Sequence, residues 1–179
     1  MNYASGYRGQ EADLYDLFST TFTVSEGADE GRVIRNFVQD LMKTTPERDL
    51  FCFSAHDNDY LVGSVFFSSL KYKQDDRTVF ILSPMAVKPD RQKNGIGQKL
   101  IIYGLEELRK KGVDIVVTYG DINFYSKVGF QQISEEFAQA PLKLSYPEGW
   151  LAQSLTKQNF KTIPGSPTCV DALNKPELW

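Results

Sequence analysis

The sequence predicts a chain of the α/β or α+β class, with one mixed, mostly antiparallel sheet flanked by helices. Three observations lead there. Apolar residues recur at helical spacing in three separated segments. Three runs rich in β-branched and aromatic residues follow one another between the second and third of those segments. A further apolar run, "VDIVVTY", comes directly after the third. The 179 residues suit one domain with a single substantial core. The expectation is a single domain over residues 1–179, with a core at about 1–134 and a C-terminal extension at about 135–179.

The elements follow in order. A short extended piece lies around Asn2 to Tyr7. From Glu11 to Phe22, Leu14, Leu17, Phe18 and Phe22 recur at helical spacing. The stretch "TVSEGADEGR", with Gly27 and Gly31, reads as an interruption. A second helix carries Val33, Ile34, Phe37, Val38, Leu41 and Met42 on one face. Pro46 ends it, because proline disfavours helix in the residue before it. "LFCFSA", "YLVGSVFFSSL" and "RTVFILSPMAV" read as three antiparallel strands, separated by "HDND" and "KYKQDDR". The third helix follows "NGIG" with a stripe of Leu100, Ile101, Leu105 and Leu108. Arg109, Lys110 and Lys111 before Gly112 place cations at its negative end and a glycine stop beyond it. "VDIVVTY" is then a buried strand, and "DINFYSKVGF" a short helical turn leading into another strand. Prolines at 141, 147, 164, 167 and 176 break the tail into short pieces, with "GWLAQSL" and "TCVDAL" as candidate strands.

Composition excludes several function classes. Apolar residues at 41% and charged residues at 24% match a soluble globular protein. A net charge of -3 argues against broad nucleic-acid binding through phosphate neutralisation. The N-terminal stretch has charges where a signal peptide needs an unbroken apolar core, and no apolar run approaches the ~18 to 20 residues that span a bilayer. Cys52 and Cys169 are too few and too far apart for a disulfide framework or a zinc site. The expectation is a cytoplasmic protein with reduced thiols, no metal, and neither nucleic acid nor membrane as partner. His56, the only histidine, sits in "AHDNDYLVG" and reads as a solvated residue at a hairpin tip. Any catalysis does without histidine.

The stretch "RQKNGIGQKL" asks what its two glycines let approach. A P-loop needs Lys-Ser/Thr after the last glycine, but Gly97 is followed by Gln98, Lys99 and Leu100. A Rossmann loop needs a third glycine where Leu100 stands. A strand-to-helix junction of the form Gln/Arg-x-x-Gly-x-Gly/Ala fits Gln92-Lys93-Asn94-Gly95-Ile96-Gly97 at every fixed position. Backbone N–H groups from Gln92 to Gln98, with the positive end of the helix that follows, make an anion site suited to a pyrophosphate. Glycines at 95 and 97 remove β-carbons that would hold phosphates off, and Arg91 and Lys93 add charge. A tight turn alone would also use the glycines. It leaves the cations and the helix start unexplained.

In context, "SPMAVKPDRQKNGIGQKLI", followed by "FYSKVGF", resembles the acyl-CoA loop and its surroundings in the GCN5-related N-acetyltransferases (GNAT). The resemblance runs from the first strand to about Phe130 and is most similar to a bacterial subgroup with a longer C-terminal extension. It implies the GNAT fold, with splayed central strands, and acetyl-CoA as acyl donor without metal. It places pantetheine pairing and an oxyanion-type N–H on the backbone of Met85, Ala86 and Val87. It places pyrophosphate contacts on Gln92, Lys93, Asn94, Gly95, Ile96, Gly97 and Gln98. Tyr125, in Tyr-x-x-x-Gly-Phe, matches the tyrosine that donates a proton to the departing sulfur, and packing the short helix is its plainer role. Pro84 has no N–H to donate, so a bulge or splay there is reasonable.

Many relatives place a basic glutamate on the strand before the loop, and "TVFILSPMAV" holds no acid. Ser83, Asp121, Glu26 (with Asp29 and Glu30 nearby) and a water chain stay open as the base. The function implied is N-acetyl transfer by direct attack of a small-molecule or peptide amine, by a monomer or homodimer. The alternative is a non-catalytic acyl-CoA-sensing module on the same fold.

Overall fold

The computed structural model describes residues 1–156 and 160–179. They form two compact units that alternate along the chain, Met1–Phe67 with Pro84–Gly104, and Ser68–Ser83 with Leu105–Trp179. The strands form an open, mostly antiparallel sheet, as the order of apolar runs predicts.

In the first unit, β1 (Asn2–Ser5) pairs antiparallel with β2 (Leu50–Asp57), in the register Asn2↔His56 to Ser5↔Phe53. Next along the sheet come β3 (Tyr60–Tyr72) and β4 (Val79–Val87), each of which continues into the second unit. Three helices belong here: α1 (Glu11–Glu26), α2 (Ala28–Thr44) and most of α3 (Ile96–Lys110). Phe18 of α1 meets Phe66 at 5.7 Å, whereas Tyr103 of α3 meets Phe53 at 5.7 Å and Phe53 meets Phe67 at 5.8 Å. Successive strand residues point to opposite faces, so Phe66 and Phe67 commit α1 and α3 to opposite sides of β3. The stripe Leu100, Ile101, Leu105 and Leu108 is buried as expected, each side chain contributing about 1.5–3 kcal/mol of transfer free energy.

Two expectations are corrected here. The interruption between the first helices shrinks to Gly27 alone, at φ 103, and Gly31 lies inside α2. A β-carbon at Gly31 would stand 2.8 Å from the Ser19 carbonyl oxygen and 1.9 Å from Thr23 Oγ1, so this glycine sets how closely α1 and α2 approach. Gly31→Ala is therefore expected to destabilise the fold by about 1–2 kcal/mol, overpacking outweighing the gain in helix propensity. A denaturant melt checks it, and a variant as stable as the parent would remove the close-approach argument.

His56 is a strand residue instead of a turn residue. It is half-buried, and a ring nitrogen lies 3.1 Å from Gln10 Oε1. The turn falls one step later, where Asn58 takes φ 54, a conformation that asparagine tolerates.

In the second unit, β4 pairs parallel with β5 (Ile115–Tyr119), β5 pairs antiparallel with β7 (Trp150–Ser154), and β7 takes the two-residue β6 (Gln131–Gln132). Strand β8 (Pro167–Thr168) lies antiparallel on β3. Of "TCVDAL", only Thr168 is strand, and Asp171–Leu173 forms a 3-10 turn that buries Ala172 and Leu173. A single turn satisfies two apolar residues where a strand would need a longer alternating run. The tail is tied to the β3–β4 connection by Arg77, which donates to the carbonyls of Lys161 (2.9 Å) and Thr162 (2.7 Å) and pairs with Asp75 (2.6 Å). Among the described residues, no helix is long and apolar enough to cross a membrane.

Candidate active site

The parallel ladder between β4 and β5 runs from Val79↔Ile115 to Leu82↔Thr118 and stops there. The Thr118 hydroxyl donates to the Leu82 carbonyl at 3.0 Å, fully buried, and closes the ladder's last acceptor. β4 itself continues past this last pair, through Pro84 to Val87 in the first unit.

The first unit holds this end of β4 and the glycine loop together. Lys88 N–H donates to Val62 on β3 at 2.9 Å, so by strand alternation Val87 and Met85 turn their backbone groups to the other edge. There the Val87 carbonyl accepts from Gln92 Nε2 at 3.0 Å and from Thr21 Oγ1 at 3.5 Å. Ala86 and Val87 are buried and Met85 half-buried, so their side chains are core or lining and their backbone is what they can offer a ligand. Gln92, missed in this respect by the sequence reading, anchors the start of the loop to the end of the strand.

Lys93 at φ 62 and Gly95 at φ 73 turn the loop tightly into α3. Gly95 is required by that conformation, since a β-carbon there would meet nothing within 4 Å. Lys93 holds the same region without being glycine, at a cost on the order of 1–3 kcal/mol of the kind stored at functional sites. Gln92, Lys93 and Asn94 are exposed, Gln98 is half-buried, and Ile96 and Gly97 are buried at the start of α3. The first amides of a helix have no acceptor within it, so this end of α3 offers donors and a positive dipole end. The open space at Gly95 and these donors fit a pyrophosphate. Arg91 contributes less than expected, because it pairs with Asp57 at 2.9 Å and lies 3.6 Å from Asp90.

Tyr125 belongs to the second unit, at the end of α4 (Ile122–Tyr125). Its ring rests on Gly120, where a β-carbon would come within 2.7 Å of Tyr125 Cε2. Phe124 and Phe130 meet that ring edge-on at 5.1 and 5.6 Å. Burial pushes the phenol above its ordinary value, and a hydrogen bond with the Thr118 side chain offsets this only in part. Tyr125 therefore keeps its proton at neutral pH, which suits a donor and not a base. Thr118 was not singled out from sequence, although a lone hydroxyl in the apolar run "IVVTY" was the available signal.

The candidate bases fare unequally. Asp121 accepts from Asn123 N–H at 2.9 Å and from its side-chain amide at 3.0 Å, as the cap of α4. Glu26 is exposed at the last turn of α1, and Asp29 and Glu30 sit in the first turn of α2, where carboxylates suit the dipole. Ser83 is half-buried on β4. None of Glu26, Asp29 and Glu30 lines the cleft of ≈ 470 Å³ in the first unit, whose walls carry Asp13, Asp16, Asp59 and Asp90 beside Lys88. Among the described residues, no group of three or more His, Cys, Asp and Glu side chains is placed to hold a metal ion.

Residues 48–132 match the model of the acetyltransferase (GNAT) domain. The N-acetyltransferase YjhQ of Escherichia coli K12, itself uncharacterized, is 28% identical over 169 residues, covering 92% of this chain and 89% of YjhQ. Among solved structures, the fold is similar to the GNAT family N-acetyltransferase YhbS of Escherichia coli in complex with CoA. That likeness has a TM-score of 0.80 at 20% identity, over 97% of this chain and 92% of YhbS. It is also similar to a GNAT family acetyltransferase from Brucella melitensis in complex with acetyl-CoA, with a TM-score of 0.72 at 21% identity over 97% of each chain. The family model falls on the strands, the glycine loop and the Tyr125 segment, where the site residues stand, and the relationship to YjhQ extends through most of the tail. Over residues 48–132 this chain matches the GNAT acetyltransferase domain, and over 92% of its length it is similar to the N-acetyltransferase YjhQ.

Proposed function

We propose that the whole chain acts as one N-acetyltransferase domain, moving an acetyl group from acetyl-CoA to a primary amine by direct attack in a ternary complex. The observation that carries this reading is the loop at the start of α3, where Gly95 at φ 73 leaves open space beside the first amides of the helix, which have no acceptor within it. Bound acetyl-CoA supplies the activated thioester. Gln92, Lys93, Asn94, Gly95, Ile96, Gly97 and Gln98 hold its pyrophosphate through backbone N–H groups. Met85 and Val87 offer backbone groups along the edge of β4 turned away from β3, with an N–H for the carbonyl oxygen where negative charge develops, whereas the backbone of Ala86 faces β3 by the same alternation. Tyr125 keeps its proton and hydrogen-bonds the departing sulfur; ordinary thiol and phenol values of ~8.5 and ~10 make full transfer uphill, more so with the phenol raised by burial, so any proton given to the sulfur is replaced from solvent. A water chain takes the amine's proton, since Asp121 is committed to its cap and Glu26 is exposed.

A sensing module on the same fold is the second reading, favoured by the absence of an acid from β4. Turnover of acetyl-CoA against a panel of primary amines, read as free thiol, separates the two. Amine-dependent thiol release supports the enzyme, and tight acetyl-CoA binding with no release across the panel supports the sensor.

A further inference from the structure

Tyr125 is backed by an aromatic assembly that the reaction itself does not use. Trp179 is buried and stacks on Tyr119, with ring centroids 6.3 Å apart and planes 19° from parallel, and it meets Trp150 at 6.1 Å. Its indole N–H donates to the Leu173 carbonyl at 2.9 Å, and its main-chain oxygen accepts from Ser145 Oγ at 2.6 Å. The residue is thus held through both its indole and its main chain.

Tyr119 is held from a second side. Its hydroxyl accepts from the Tyr146 N–H at 2.6 Å, and Gly149 lies so close that a β-carbon there would sit 3.2 Å from the Tyr119 ring. Gly120 N–H donates to the Gly149 carbonyl at 2.9 Å, which closes a collar around Tyr119 and Gly120. The Tyr125 ring then rests on the far side of Gly120, with no room even for a methyl group between them.

We propose that Trp179 is a positioning residue for Tyr125, holding the Tyr119–Gly120 turn that sets where the phenol points. The functional consequence rests on the reading of Tyr125 as donor to the sulfur; the positioning does not. A proton donor must lie within hydrogen-bond reach of its acceptor, and a displacement of about 1 Å can cost on the order of 10²-fold in rate. Loss of the indole removes the flat face behind Tyr119 and leaves its ring to the Tyr146 bond and the Gly149 contact.

The test uses the full chain with ring-¹³C tyrosine. The Tyr125 signals are assigned by their loss in Tyr125→Phe. Trp179→Leu, which stays apolar but is smaller and has no flat face, is expected to shift the Tyr125 signals and bring the phenol's titration toward the ordinary value of about 10. Trp179→Phe is expected to stay near the parent. If Trp179→Leu does not fold, Ser145→Ala releases only the bond to the Trp179 main chain and is expected to shift the same signals by less. Tyr125 signals that stay in place while those of Tyr119 move would overturn the proposal.

Turnover supplies the second readout. Trp179→Leu is expected to lower kcat about tenfold in the parent and not further in Tyr125→Phe, with KM for acetyl-CoA unchanged. An equal loss in both backgrounds would make Trp179 a general structural residue and overturn the assignment. A Tyr125→Phe variant that turns over like the parent removes the donor role of Tyr125, and the spectra still decide the positioning.

Discussion

Gly97→Asp is expected to abolish coenzyme A binding in a protein that still folds. Gly97 is buried in the first turn of α3, two residues after left-handed Gly95. An aspartate there adds bulk on the surface proposed to meet the pyrophosphate, and a negative charge where two are to be bound. Like charges about 4 Å apart repel by ~1 kcal/mol in water and ~4 kcal/mol near a protein surface. The lost amide contacts add to that repulsion. An acidic side chain in a helix's first turn is itself favourable by about 0.3–1 kcal/mol, which offsets part of the packing cost. Calorimetry should give the parent a micromolar dissociation constant, about -8 kcal/mol, and show no heat for the variant. Unchanged affinity in a folded variant would take the loop out of cofactor binding altogether.

Tyr125→Phe is expected to bind acetyl-CoA like the parent and turn over about 10²-fold more slowly, the usual scale for a positioned proton donor. Phenylalanine keeps the ring on Gly120 and the edge contacts with Phe124 and Phe130. It removes the hydroxyl and with it the hydrogen bond with Thr118. That loss leaves Thr118 its bond to the Leu82 carbonyl, so the fold should hold. KM for acetyl-CoA should barely move, because the donated proton stabilises the transition state and not the ground state. Equal kcat values in parent and variant would reduce Tyr125 to packing.

What could be read in the sequence was whatever has a local period or a fixed backbone demand. The stripe Leu100, Ile101, Leu105, Leu108 named its buried face, and Gly95 named a left-handed turn. Contacts between distant residues left no such trace. Arg91 looked like a free cation beside the loop until Asp57, 34 residues away, proved to be its partner. His56 looked like a turn residue because Asp57, Asn58 and Asp59 all favour turns, and in the fold it is a strand residue paired with Asn2 of β1. Gly31 looked like a breaker, and its role is to admit α1. The stacking of Trp179 on Tyr119 had no signal at all, because the intervening tail has no periodicity.

The most direct test of acetyl transfer incubates the parent and Gly97→Asp with acetyl-CoA labelled in the acetyl carbon and a panel of primary amines, and weighs the amines afterwards. The account predicts a labelled amide on at least one amine with the parent, none with Gly97→Asp, and no labelled protein as an intermediate. Coenzyme A binding by the parent with no labelled amide anywhere in the panel would contradict it and leave a binding module in its place.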